Sequence, residues 1–148
     1  MVFLHMTCHF IGCSSIWPTK KFPLFLCRVS AGFPSPAQDY VEQYLDLNEI
    51  CIKRPAATYF VRVEGNSMIE AGIFSGDVLV VDRSIKPAHN DIVIAGFQGE
   101  FTVKQLELKP KLRLVPRNPD YQPIVISSDD ELEIFGVVTN VIRNLVSR

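Results

Sequence analysis

The stretch DIVIAGFQGEFTVK, residues 91–104, decides the fold class. Two runs rich in β-branched and aromatic residues, 91–95 and 100–104, flank the turn-forming segment GFQG at 96–99. This pattern is typical of a β-hairpin. Similar short runs occur at 58–63, 77–81, 112–115, 124–126 and 134–142. Because turn signals separate them at short intervals, the sequence predicts a mostly β fold: a compact body of short strands.

Charge divides the 148 residues unevenly. Residues 1–31 contain Lys20, Lys21 and Arg28 and no acidic residue, whereas residues 32–148 hold 12 basic and 16 acidic side chains. The whole chain has a net charge of -1 and is 47% hydrophobic, which excludes a mainly disordered protein and gives no overall attraction to nucleic acid. We therefore predict an irregular, basic N-terminal arm at 1–31 and a β-rich body at 32–148.

The arm has no pattern of a membrane segment or of a metal site. Residues 1–16 lack the leading positive charge of a signal peptide, and polar residues interrupt the apolar run, so no membrane association is predicted. The spacing of the potential zinc ligands His5, Cys8, His9 and Cys13 matches no common site, so no metal is expected. The four cysteines, with Cys51 as a small core residue, follow no disulfide pattern and predict a cytoplasmic protein.

The segment between arm and body gives two local predictions. Four prolines between residues 18 and 38 oppose regular structure, which favours an extended, exposed linker. After them, apolar residues at helical spacing in 39–47 predict one short helix with Asp39 as its cap.

Few residues can carry chemistry. His89 lies in a polar turn, and no glycine pattern that binds phosphate occurs. Ser67 follows a predicted strand, and Lys104 ends another. A serine hydroxyl needs a base, and a lysine can act as one only if desolvation lowers its pKa from about 10.4 towards 7. From the residues alone, an ordinary turn serine and a solvated lysine at a strand end are the favoured interpretations, and nothing in the sequence shows that the two side chains meet.

Several blocks resemble, in order and spacing, the LexA-like self-cleaving serine peptidases of the UmuD/MucA type. The likeness runs from about residue 30 to 141 and departs from the usual pattern at Asn66 and Asn90, where an acidic residue and a glycine are common. Its blocks are GFPSPA at 32–37, DYVEQ at 39–43, ATYF at 57–60, GNSM at 65–68, GDVLVVD at 76–82 and GEFTVK at 99–104. Asn tolerates the left-handed backbone that a glycine would adopt at position 90.

The resemblance implies a serine endopeptidase that acts on itself. Ser67 would be the nucleophile and Lys104 its general base, and the cleaved bond would join Ala31 to Gly32. The backbone N–H groups of Ser67 and of Met68 or Gly65 would bind the oxyanion. No cofactor is implied.

The same resemblance implies a place in the SOS response. Cleavage would be stimulated by the RecA–single-stranded DNA filament, and the processed body would form a homodimer that serves a UmuC-like DNA polymerase in translesion synthesis. A LexA-type repressor is excluded because residues 1–31 are too short and proline-containing for a helix-turn-helix domain, so no sequence-specific DNA binding is expected. The alternative is a non-catalytic dimeric binding module that regulates a polymerase or a repressor-type partner. The strand at 134–142 is a candidate interface or plain core.

Overall fold

A computed structural model describes residues 7–12, 20–25 and 41–146 of the chain. It contains ten strands. They are β1 (Thr7–Gly12), β2 (Phe22–Phe25), β3 (Val41–Leu45), β4 (Thr58–Glu64), β5 (Val78–Asp82), β6 (Ile92–Phe97), β7 (Glu100–Glu107), β8 (Arg113–Val115), β9 (Ile124–Val125) and β10 (Leu132–Ile142). The chain divides into two compact units, Ser15–Lys53 and the remainder.

The larger unit is built on one eight-stranded sheet in the order β1-β4-β5-β10-β6-β7-β8-β9, and all its neighbouring strands are antiparallel. The predicted mostly β class is therefore confirmed. The predicted arm includes β1, which pairs with β4, so this part of residues 1–31 is a strand and not irregular chain. Pairing with β1 supplies hydrogen-bond partners to the edge of β4.

The predicted hairpin is formed by β6 and β7, which pair from Ile92 with Gln105 to Phe97 with Glu100. Its two-residue turn, Gln98-Gly99, has positive φ at both positions, as a type I′ turn requires. One expectation was wrong: β7 continues to Glu107, so Lys104 lies inside the strand and not at its end. Strand β8 pairs with residues 105–107, which extends the ladder beyond the predicted boundary.

The core of the larger unit consists of two apolar clusters. One surrounds Val61, Met68 and Leu79, and the other surrounds Val93, Leu106 and Leu114. Strand β10 contributes Val137 to the second cluster and pairs with β6 through its first half and with β5 through its second. The segment predicted as interface or core is thus a strand in the interior of the sheet. Asn90, before β6, has φ 73°, the left-handed conformation expected for it.

The smaller unit, described by itself, contains the two-stranded sheet of β2 and β3 and the helix α1 (Leu47–Cys51). The helix predicted over 39–47 was wrong, because 41–45 is strand and the helix begins only at Leu47. Its N-cap is Asp46, whose side chain accepts the Asn48 N–H at 2.9 Å. Cys51 is half-buried and not a core residue. Strand β2 lies inside the predicted linker.

Candidate active site

Ser67 lies in the turn between β4 and a single 3₁₀ turn, Ile69–Ala71. The neighbouring Met68 side chain is fully buried in the first core cluster. At the start of this turn, the Gly65 N–H donates to Ser75 Oγ at 3.2 Å. Ser67 itself has no solvent exposure. The buried Met68 side chain therefore anchors the backbone next to Ser67, and the Ser67 hydroxyl is not on a solvated turn.

Lys104 approaches Ser67 from the interior of β7. Its Nζ is 3.1 Å from Ser67 Oγ, and the Lys104 residue is only 3% exposed. The same nitrogen contacts Thr102 Oγ1 at 2.7 Å and the Val103 carbonyl oxygen at 3.0 Å. The structure thus brings together the two residues that the sequence singled out, 37 positions apart.

These contacts fit an amine that exchanges a proton with Ser67. A neutral amine has two N–H bonds and one lone pair, and the Val103 carbonyl can only accept. In the structure Nζ donates to Ser67 Oγ, Thr102 Oγ1 and the Val103 oxygen. Once the amine is neutral, its two N–H bonds can stay on Thr102 and Val103 and its lone pair can accept from the Ser67 hydroxyl. Burial disfavours the charged form of an amine. The arrangement can therefore activate a serine nucleophile without a histidine.

The loop between β8 and β9, residues 116–123, holds the backbone around Ser67. The Arg117 N–H donates to the Ser67 carbonyl at 2.8 Å, and the Glu70 N–H donates to the Arg117 carbonyl at 2.9 Å. Asn118 Nδ2 donates to the Asn66 carbonyl at 2.8 Å. Sequence reasoning missed these contacts, since the loop carries only proline turn signals around 116–119. It also missed Thr102, although its spacing of two from Lys104 in a strand places both on one face.

An ion pair joins Arg143 to the segment that follows the serine turn. Arg143 Nε and Nη2 donate to the two carboxylate oxygens of Asp77, at 2.7 and 2.5 Å, and Nη2 also donates to the Gly72 carbonyl. The guanidinium lies 4.2 Å from the centre of the Phe74 ring. The hydrogen bond from Arg143 is the main reason that the pKa of Asp77 lies below its usual value. Burial acts in the opposite direction and raises that pKa. Arg143, directly after β10, is thus bonded to residues of the segment that follows Ser67.

The surface beside Thr102 is concave. A groove of about 650 Å³ is lined by Thr102, Phe97, Pro123 and Val125, among others. A second groove, lined by Phe101 and Phe135 among others, shares Glu100 with the first. Neither Ser67 nor Lys104 lines the first groove, and its link to the pair is Thr102, whose hydroxyl contacts Lys104 Nζ.

Some of the predicted site residues lie outside the part of the chain that the structure describes. Ala31 and Gly32, the predicted cleavage pair, lie outside the described residues. The oxyanion role of the Ser67 and Met68 N–H groups stays a prediction. The side chains of His5, Cys8, His9 and Cys13 are likewise outside the described part. Within that part, no group of three or more His, Cys, Asp or Glu side chains is arranged to bind a metal ion.

The family comparison agrees with this geometry. The Peptidase S24-like family matches residues 23–139, which include the turn of Ser67 and the whole of β7. The chain belongs to the Peptidase S24-like family. This confirms the family that the sequence blocks predicted, the LexA-like peptidases of the UmuD/MucA type.

Relatives of this S24-like chain are similar over most of its length. Protein SamA of Salmonella typhimurium is 59% identical over 79% of the chain and 81% of its own length. Protein ImpA of Escherichia coli is 56% identical over 82% and 83%, respectively. Protein MucA of Escherichia coli is 53% identical over 81% and 83%. In the ranges 7–12, 20–25 and 41–146, no helix of this S24-like protein has the length and apolar character needed to span a membrane.

Proposed function

We propose that this S24-like protein is a serine endopeptidase that cleaves its own Ala31–Gly32 bond, with Ser67 as nucleophile and Lys104 as general base. The observation that carries the proposal is the buried contact of 3.1 Å between Lys104 Nζ and Ser67 Oγ. A structural lysine would leave its ammonium in water, whereas this one is removed from solvent beside a hydroxyl. The family and the resemblance of the cleavage segment support the same reaction.

The reaction needs only the chain's own groups. The Ser67 proton passes to the Lys104 amine as Oγ attacks the Ala31 carbonyl carbon, and backbone N–H groups stabilise the resulting oxyanion. The Lys104 ammonium then gives the proton to the Gly32 nitrogen as the C–N bond breaks. This releases the Gly32 amine and leaves an Ala31 ester on Ser67. Water, deprotonated by Lys104, attacks the ester carbon; as the bond to Ser67 Oγ breaks, Lys104 returns the proton to Oγ, which frees the Ala31 carboxylate and restores both side chains.

The biological role proposed for this reaction is SOS mutagenesis. The relatives SamA, ImpA and MucA are of the UmuD type, which supports a function in damage-induced mutagenesis. The RecA–single-stranded DNA filament would favour the state in which the cleavage segment occupies the groove, a shift of population between existing states. The processed body, residues 32–148, would form a homodimer and act as accessory subunit of a UmuC-like polymerase in the cytoplasm.

Cleavage by the purified protein tests the chemistry. At about pH 10 the amine of a lysine base is neutral, and we expect a fragment whose N-terminal sequence begins at Gly32. Ser67→Ala and Lys104→Ala should each abolish the fragment, while the exposed-site controls Ser128→Ala and Lys86→Ala should retain it. Persistence of the fragment in Ser67→Ala or Lys104→Ala would contradict the proposed pair.

Stimulation by the filament requires a separate measurement. Near neutral pH, added filament should raise the cleavage rate of the wild type and leave Ser67→Ala intact. An equal rate with and without filament over a wide pH range would refute stimulation. Absence of any fragment under both conditions, together with a stable dimer, would favour the binding-module alternative.

A further inference from the structure

The two peptide groups that flank Ser67 are each held through their carbonyl oxygen. The Asn66 carbonyl accepts from Asn118 Nδ2, and the Ser67 carbonyl accepts from the Arg117 N–H, both at 2.8 Å. The two contacts come from consecutive residues of the same loop. That loop therefore determines the orientation of both peptide planes at the serine turn.

Peptide geometry links these carbonyls to the expected oxyanion donors. The Asn66 carbonyl and the Ser67 N–H belong to one peptide group, and the Ser67 carbonyl and the Met68 N–H belong to the next. Both peptides are trans, so the N–H of each points opposite to its carbonyl oxygen. Because residues 117 and 118 bind the carbonyl oxygens, the Ser67 and Met68 N–H groups point away from residues 117 and 118.

The Asn118 side chain is fixed in the orientation that this role needs. Its Oδ1 accepts the Asp120 N–H at 3.0 Å, and an N–H can only donate. The amide nitrogen is therefore the atom directed at the Asn66 carbonyl, which can only accept. Asn118 is only 6% exposed, so water competes little for either bond.

We propose that Asn118 is a positioning residue for the oxyanion hole, which it orders by fixing the peptide that carries the Ser67 N–H. The inference rests on the proposed peptidase function. A preorganised donor stabilises the developing oxyanion without reorganising during the reaction, and loss of one such donor slows catalysis by about 10²–10³-fold. Asn118 acts on the donor only through the peptide group that it holds, so its loss should slow self-cleavage by about tenfold to a hundredfold.

The test uses two variants that separate the two bonds of Asn118. Asn118→Asp keeps an oxygen for the Asp120 N–H but replaces the donor to Asn66 with an acceptor, and Asn118→Ala removes both bonds. We expect the first-order rate of Gly32 fragment formation to fall about tenfold to a hundredfold in both variants. In Asn118→Ala, which adds no charge near Lys104, the pH at half-maximal rate should stay unchanged, since the contact between Ser67 and Lys104 is untouched. Exposed Asn144→Ala is the matched control and should cleave at the wild-type rate.

Rates are compared below the thermal unfolding midpoint of each variant, and Asn118→Ala alone decides if Asn118→Asp does not fold. A wild-type rate in Asn118→Asp with a slow Asn118→Ala would overturn the proposal, because Asn118 would then serve only to hold its own loop. A wild-type rate in both would also overturn it. Failure of the peptidase proposal looks different: the wild type gives no Gly32 fragment, or Ser67→Ala still gives it.

Discussion

At the scale of single residues, Thr102 completes the surroundings of the Lys104 amine. Its hydroxyl is 2.7 Å from Nζ, a shorter contact than the one to Ser67, and the residue is 4% exposed. A buried amine without such a partner carries a desolvation penalty and a less defined position. Thr102 therefore orients the proposed base towards Ser67.

Replacing Thr102 tests this orientation. Thr102→Val preserves the side-chain shape but removes the hydroxyl, and we expect self-cleavage at high pH to slow by about tenfold, the cost of one buried hydrogen bond. Thr102→Ser keeps the hydroxyl and should retain most of the rate. The measurement is the first-order rate of fragment formation at the pH of maximal activity. Equal rates for the Val and Ser variants would exclude a positioning role for the hydroxyl.

The sequence could name the reacting pair but not their contact. Ser67 and Lys104 follow from the resemblance of two short blocks, yet their proximity depends on where β7 lies relative to the turn after β4. The contacts that hold the backbone around Ser67 were harder still to predict from the sequence. Asn118 reaches Asn66 across 52 positions from a loop whose prolines indicate only irregular structure. Thr102 could have been found from strand periodicity, because alternate residues share a face.

At the scale of elements, local patterns predicted strands β4 to β10 well and failed at β1 and at 39–47. Alternating β-branched residues determine a strand when neighbours cover its faces, as in β4 and β5. In 41–45 the apolar residues fit a helix, but pairing with β2 gives those residues a strand partner that the local pattern does not contain. Pairing between distant segments overrides local propensity here.

The close approach of β10 to the end of β5 depends on a residue without a side chain. A Cβ on Gly136 would lie 2.6 Å from Val81 Cγ1 and 3.2 Å from the Asp82 carbonyl oxygen. Val81 is fully buried and cannot move aside without disturbing the first core cluster. We expect Gly136→Ala to lower the free energy of unfolding by about 1–3 kcal/mol, the usual cost of overpacking.

Gly96→Ala is the matched comparison on the adjacent strand β6. Its added Cβ would meet only the edge of the Phe135 ring, at 2.7 Å, and that ring is partly exposed and can shift. Urea unfolding of both variants should give the larger loss for Gly136→Ala. Equal losses in the free energy of unfolding would show that the close approach to Val81 adds no cost to an alanine at position 136.

At the scale of the whole larger unit, one ion pair joins the end of the chain to the segment after the serine turn. Arg143 follows β10 and Asp77 precedes β5, so the ion pair lies at the end of the antiparallel ladder where Ile142 pairs with Val78. The Asp77 carboxylate is buried at 1% exposure and also accepts the Phe74 N–H at 2.8 Å. A buried carboxylate that loses its cation is left without compensation for its charge. The stability of the whole sheet should therefore depend on Arg143.

The pH dependence of this contribution follows from the lowered pKa of Asp77. Because the folded-state pKa lies below the unfolded value of about 3.9, the stabilisation is complete above that value and is lost as the pH falls towards the folded-state pKa. We expect Arg143→Gln to lower the thermal unfolding midpoint at pH 7 and the difference from wild type to shrink below about pH 4. Circular dichroism melts from pH 7 to pH 3 measure this, with the exposed Lys86→Gln as a charge-matched control. A difference that stays constant through the acid range would assign the effect of Arg143 to its contacts with Phe74 and Gly72, since neither of those titrates.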